Sequence, residues 1–336
     1  MRRSKAAAAA AVFTLLALVP AVAPVAAGDN QANAKAEQQR IVNYWTAERI
    51  ASAKPRDFVK GADGKFSPKA KPPPPGGGGG STGASWTEGG PIVQRSGKVL
   101  FTMDGGNWVC SASVVNDGRS THAVILTAGH CAYDEVNHVH ATNWIYVPSF
   151  DTSPTFTCSQ ATYGCFTALG LVVDSGFATA GSFNTQATVH DFAFAIVGAG
   201  TKGFQADTLQ VNGTSVGSYP IAYPAISTGN PVHAFGYPAA GRYHGKDLTY
   251  CNGNTFNDPN NANLTWGIAC NMTGGSSGGP WLGSFTQSGG GTLTSLNSYG
   301  YSGLSNMYGP KFNANTQAVF DRADSTTTNS VVNVAP

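Results

Sequence analysis

Short apolar runs, rather than long helical periods, dominate the chain beyond residue 98. The runs 99–102, 108–115, 123–127, 143–147, 192–197 and 232–237 are each four to eight residues long. They are rich in β-branched and aromatic side chains and are bounded by Gly, Asn, Ser and Pro, the pattern of strands joined by tight turns. Two stretches read differently. Residues 36–53 place Ile41, Tyr44, Trp45, Ile50 and Ala53 at helix-like spacings, so one amphipathic helix is expected there, and a short terminal helix is expected at 317–322. From residue 86 onward 251 residues remain, enough for two packed β units with a core each.

The N-terminal quarter is of another kind. Arg2, Arg3 and Lys5 precede the run 6–19, apolar except for Thr14, and small residues follow at Val25, Ala26 and Ala27. That is the layout of a secretory signal peptide over residues 1–27, since an apolar core of 14 residues is too short for a permanent anchor. The alanine run after Lys5 suits a twin-arginine signal poorly. Residues 28–84 are expected to be a pro-segment, with a linker at 72–80 that is stiff in its proline half and slack in its glycine half. A surface-anchoring stalk is the rival reading of the same residues. The body after the linker begins at residue 85, so the domain expected to carry the chemistry is 85–336.

Charge divides along that boundary: residues 1–85 carry 12 Lys and Arg against 5 Asp and Glu, whereas residues 86–336 carry 8 against 13. An acidic body argues against nucleic-acid binding, and it suggests that the basic pro-segment docks on it. All 6 cysteines lie after the signal in an exported chain, which favours disulfides over metal ligation; spacing alone leaves 15 pairings open.

Candidate chemistry begins with Gly274 to Pro280, GGSSGGP. Glycines on both sides of Ser277 allow a turn tight enough to expose one hydroxyl and aim neighbouring N–H groups at a common point. In a chain with 42 Gly the run alone is weak evidence. A serine nucleophile needs a base and a group to orient that base. The strand 123–127 runs into Ala128-Gly129-His130-Cys131, and His190-Asp191 leads into the apolar run 192–197. His130, Asp191 and Ser277 are therefore the candidate triad. Asp174 and Asp207 compete for the acid, and Ser276 for the nucleophile.

Taken together, LTAGHC, HDFAFAIV and GSSGGP resemble the chymotrypsin-like (trypsin-fold) serine peptidases, most closely the secreted bacterial branch near the V8-like endopeptidases; Gly236-Tyr237-Pro238 adds to the likeness. The resemblance spans residues 99–321 and implies an all-β fold of two antiparallel six-stranded β-barrels with the site between them, His130 and Asp191 from the first and Ser277 from the second. It selects Ser277, directly before Gly-Gly-Pro, as nucleophile, with the N–H groups of Gly275 and Ser277 as oxyanion hole. It supports the disulfide Cys110–Cys131, after which Cys158–Cys165 and Cys251–Cys270 follow as local loops. It lines the substrate pocket with Asn271, Met272, Asn297, Ser298, Tyr299 and Gly300. Asn271 and Met272 stand where charged specificities would need other residues, so a neutral or apolar side chain is expected. Ser276 stands where animal relatives carry an aspartate that pairs with a new N-terminal amine, so the serine loop is expected to form without that salt bridge.

The implied function is a secreted, monomeric endopeptidase acting on protein or peptide substrates, without cofactor, metal, nucleic acid or membrane partner once the signal is removed. A secreted non-catalytic homologue that kept the barrel as a binding module is the alternative. The pair His138 and His140 near Asp134 and Glu135 reads as solvated surface, and Asn212, Asn263 and Asn271 open Asn-x-Thr glycan triplets.

Overall fold

In the computed structural model, residues 27–68, 82–150, 156–224 and 226–334 are described. The expected signal peptide (apart from Ala27) and the linker at 72–80 lie outside the described residues.

Six strands close the first half into a barrel. Gly106–Val115 pairs with Ser96–Met103, followed in the ladder by Thr142–Pro148, Phe166–Asp174, Ala193–Val197 and Ala123–Thr127, which returns to Gly106–Val115. Every pairing is antiparallel. The apolar runs have this length because one face of each strand fills the barrel while the other is covered from outside; all five residues of Ala123–Thr127 are buried. Part of that cover is the helix Ala314–Asp324, whose Phe320 meets Phe194 edge-on. It is longer than the sequence suggests because Asn313 and Thr316 form a reciprocal cap that starts it three residues early.

The second half is built from Pro231–Gly236, Thr249–Asn254, Pro280–Gly283 and Thr292–Leu296 in one sheet and Thr265–Ala269 with Asn306–Pro310 in another. The disulfide Cys251–Cys270 joins the two sheets around Trp281, Ile268 and Met272. The six strands thus enclose a core without one continuous ladder. Cys110–Cys131 and Cys158–Cys165 are also formed.

The described part of the expected pro-segment, residues 28–68, lies across both halves. In place of the single helix expected at 36–53 there are two, α1 (Ala27–Tyr44) and α2 (Ala47–Ser52). The break follows from Thr46, which takes extended backbone angles so that its hydroxyl can accept the Arg49 N–H and begin a new helix. Trp45 at the corner is buried and donates its indole N–H to Asn143 O at 2.6 Å. With Ile41 and Ile50 it forms the apolar face that the spacing requires. Three short strands follow: β1 (Lys54–Pro55), β2 (Phe58–Lys60) and β3 (Phe66–Pro68). β1 adds in parallel to Gly106–Val115 of the first half, and β2 adds in parallel to Tyr299–Tyr301 of the second, with β3 antiparallel outside it. Among the described residues a single ion pair, Arg56 to Glu135, joins residues 27–68 to the rest of the chain. The docking is therefore chiefly apolar and strand-like, despite the opposite net charges of the two regions.

Candidate active site

The strand Ala123–Thr127 ends in a single tight turn, Gly129–Cys131, that presents His130 at the seam between the halves. The disulfide from Cys131 back to Cys110 pins that turn to the neighbouring strand. Asp191 precedes the strand Ala193–Val197, which is paired with Ala123–Thr127, so the ladder itself brings acid and imidazole together. Asp191 Oδ1 accepts the His130 backbone N–H at 2.9 Å, and Oδ2 lies 2.8 Å from His130 Nδ1. Oδ2 also accepts a short hydrogen bond from the Ser298 hydroxyl. With Nδ1 bonded to the carboxylate, the imidazole has one orientation and Nε2 is left as the base. His130 and Asp191 are both fully buried, and Nε2 has no hydrogen-bond partner.

Neither rival acid approaches this ring. Asp174 caps a turn through the Gly176 N–H and pairs with His190, while the half-buried Asp207 lies in the electrostatic reach of Asp117 and His122.

Ser277 arrives from the other half on a loop that the first half holds in place. The Ser111 N–H donates to Ser277 O at 2.7 Å, and the Ser111 hydroxyl donates to Gly275 O at 2.8 Å. Gly275 and Gly278 have φ of +96° and +81°, and a Cβ at Gly278 would come within 2.3 Å of Ser111 O. Only glycine lets the loop pass that close. Ser276 is not available as a nucleophile, because its hydroxyl donates to Thr273 O at 2.8 Å. The Ser277 hydroxyl instead faces the seam, where it donates to Asp57 Oδ1 at 2.8 Å. The Gly275 N–H points at the same carboxylate oxygen from 3.4 Å.

Solved structures match this architecture over most of the chain. The protease Anisep from Arthrobacter nicotinovorans is 35% identical, with 73% of this chain and 100% of that chain covered and a TM-score of 0.58. The chain belongs to the chymotrypsin-like serine peptidases. A thermostable serine protease, AL20, from an extremophilic microorganism is 33% identical over 70% of this chain and 99% of that one, with a TM-score of 0.57. A Glu endopeptidase shares the fold at 20% identity and a TM-score of 0.53, covering 73% of this chain and 97% of that one. No protein-family model matches the sequence, and neither does any curated protein.

In this peptidase the expected pocket residues divide into walls and supports. Met272, Ser298, Tyr299 and Gly300 line a cavity beside Ser277, together with Thr273, Gly274 and Met307. Asp57, Phe58 and Val59 close its other side, and it has room for only about 10 Å³. Asn271 and Asn297 lie outside that lining. Asn297 is a brace: its Oδ1 accepts the Trp281 indole N–H, and its Nδ2 donates to Phe235 O and Ser276 O. Asn271 Oδ1 accepts from the Tyr243 hydroxyl at 2.6 Å. The wall strand Tyr299–Tyr301 is anchored by Asp258, whose Oδ2 accepts from both tyrosine hydroxyls. Burial pushes the Tyr299 and Tyr301 hydroxyls far above the usual tyrosine range, and the bond to Asp258 adds to it, so both stay protonated donors.

Sequence reasoning missed the residues of the 54–60 stretch in the site. Arg56 donates to His130 O at 2.6 Å and pairs with Glu135, both side chains being buried. Phe58 stacks on Phe183 at 3.9 Å and meets the His130 ring edge-on. Burying an aromatic of this size is worth about 1.5–3 kcal/mol. The available signal was Arg56-Asp57-Phe58-Val59: a strand-forming pair after a charged pair, in a segment otherwise built of helix and linker. Among the described residues, the one cluster of potential metal ligands is Cys110, His130 and Cys131, and its two sulfurs are joined in the disulfide and so cannot ligate as thiolates.

Proposed function

We propose that this chain is a secreted serine endopeptidase that hydrolyses peptide bonds through Ser277, His130 and Asp191. The observation that carries this reading is the pairing of His130 with Asp191 across a seam from a formed serine loop, whose hydroxyl and Gly275 N–H converge on one oxygen atom, that of the Asp57 carboxylate. With the cleft free, His130 Nε2 takes the Ser277 proton as the Ser277 oxygen attacks a substrate carbonyl. Asp191 holds the ring and stabilises the imidazolium. The N–H groups of Gly275 and Ser277 stabilise the oxyanion, a contribution typically worth a factor of about 10²–10³ in rate. His130 then gives its proton to the leaving amine, and water activated by the same nitrogen releases the acyl group.

Apart from the pro-segment's own Asp57, the cavity beside Ser277 has no charged lining residue and carries Met272 and Met307. A neutral, apolar side chain suits it, because a buried charge would find no partner. Residues 1–27 act as the export signal and 28–84 as the pro-segment, and the enzyme works as an extracellular monomer without cofactor. The three disulfides fit that location. No described helix is long and apolar enough to cross a membrane.

Hydrolysis of a mixed peptide library by pro-segment-free protein, with covalent labelling of Ser277 by a fluorophosphonate, tests the reading. Ser277→Ala and His130→Ala should each reduce turnover by on the order of 10⁶-fold. Retained hydrolysis in either variant removes the assignment.

A further inference from the structure

Two neighbouring stretches of the pro-segment pair with opposite sides of the seam, and both pair in the same sense. Lys54 and Pro55 lie opposite Trp108 and Val109 of the first half. Phe58, Val59 and Lys60 lie opposite Tyr299, Gly300 and Tyr301 of the second. Both ladders are parallel, so one extended stretch crosses the cleft in a single direction with Asp57 at its centre.

What Asp57 offers there is unlike a substrate. A scissile peptide presents a backbone carbonyl carbon to the serine oxygen and its carbonyl oxygen to the oxyanion donors. Here a side-chain carboxylate oxygen takes the Ser277 hydroxyl proton as a hydrogen bond and faces the Gly275 N–H. A carboxylate is a poor acyl donor: attack on it would have to expel oxide or hydroxide from a carbon already carrying negative charge. It also resembles the acid product of hydrolysis, the species these donors must hold last. While Ser277 donates to Asp57, its proton is directed away from His130 Nε2, which is buried and has no hydrogen-bond partner. Phe58 packs edge-on against that ring, and Arg56, on the N-terminal side of Asp57, donates to the His130 carbonyl.

Resting on the function proposed above, we propose that residues 54–60 are an inhibitory strand laid through the cleft of this peptidase. Its inhibitory group is the Asp57 carboxylate, and the cleft holds it by contacts that do not depend on the covalent link to the body. The burial of Ile41, Trp45, Ile50, Phe58 and Val59 supplies that hold. Cutting the chain between residues 69 and 81 therefore leaves a two-chain complex that is still blocked, and activity requires the segment to be destroyed or displaced. The ligand class this site accepts is a carboxylate borne on an extended strand, and the segment that carries it is the chain's own.

The test uses the full chain and the rate at which a fluorophosphonate labels Ser277, with Ser277→Ala as the blank. Wild-type chain should label slowly, and Asp57→Ala should label about 10- to 100-fold faster, the range expected for losing a hydrogen bond to a charged group. Asp57→Asn, which keeps the shape, should lie between them. Unchanged melting temperatures show that the variants are folded. Wild-type chain carrying a site-specific protease sequence in place of the linker glycines should keep its slow rate after cutting, and should reach the fast rate once denaturant-free washing at high dilution removes the released segment. Equal rates for folded Asp57 variants and wild type, in a protein that is labelled once the segment is digested away, overturn the inference alone. A jump to the fast rate on cutting, before any dilution, overturns the claim that the contacts hold the segment. Absence of labelling and hydrolysis in every form, including the digested one, overturns the proposed function and this inference with it.

Discussion

The two sides of the cleft are in different states. On the histidine side the machinery is complete: Asp191 holds His130 through backbone and ring, and Ser298 holds Asp191. On the serine side the loop is equally well formed, braced by Ser111 and Asn297, but its hydroxyl is engaged by Asp57. The contrast lies in coverage, not in assembly: both sides are formed, and the serine side is occupied by Asp57. Ser276 explains why the serine loop can be formed: lacking a carboxylate at that position, the loop has no charge waiting for a new terminal amine, and the Ser276 hydroxyl is satisfied locally by Thr273 O. What covers Ser277 is therefore the strand in the cleft, not an unformed loop.

Three changes would break or sharpen that contrast. The largest effect belongs to the histidine side. Asp191→Asn keeps the size of the side chain but favours the wrong imidazole tautomer, and kcat of the pro-segment-free enzyme should fall about 10⁴-fold. A fall below tenfold would mean that Ser298 and the backbone N–H orient the ring without the charge. In the strand that crosses the cleft, Arg56→Met removes the partner of buried Glu135 and the donor to His130 O without touching Ser277. Leaving one member of a buried pair uncompensated costs up to about 3–5 kcal/mol, much of it relieved when the segment lifts off. Labelling of Ser277 in the full chain should rise about 10-fold, while kcat after removal of the segment stays unchanged. A matching loss of kcat would place Arg56 in the folding of the histidine turn instead.

The smallest effect concerns Lys98, buried between α2 and the body in a cavity of about 440 Å³ lined also by Ile50, Pro55, Phe150 and Ala239. Its amine donates to Gly245 O and lies 4.1 Å from the Phe150 ring centroid, and burial lowers it from 10.5 to about 7. Between those values the unfolded chain binds the extra proton, so this group makes the full chain more stable as pH rises from about 7 toward 10.5. Lys98→Met should stabilise the full chain by no more than a few kcal/mol at pH 6 and by less at pH 10, followed by thermal melts. An equal gain at both pH values would show that the amine stays charged in its cavity.

Much of the fold was legible because strand formation has a local signature. The runs at 99–102, 123–127 and 192–197 each fall within a barrel strand or begin just before one, since period-two patterning and punctuating glycines are properties of neighbouring residues. The helix expected at 36–53 shows the limit of such reasoning. Its apolar spacing is real, and Ile41, Trp45 and Ile50 are buried as it demands, yet Thr46 divides it because a hydroxyl cap competes with the continuing helix. Asn297 shows the same limit within the site. Its position in the sequence suggests a pocket wall, but its amide is drawn to three partners, Trp281, Phe235 and Ser276, that lie 16, 62 and 21 residues away.

By itself the sequence determined the β architecture and the order His, Asp, Ser, because strand patterning and glycine-rich turns are written in contiguous residues. It could not determine what Ser277 touches. The partner of its hydroxyl is Asp57, 220 residues away. That encounter depends on a strand crossing between two separately folded halves, and only the packed chain decides which acid arrives there.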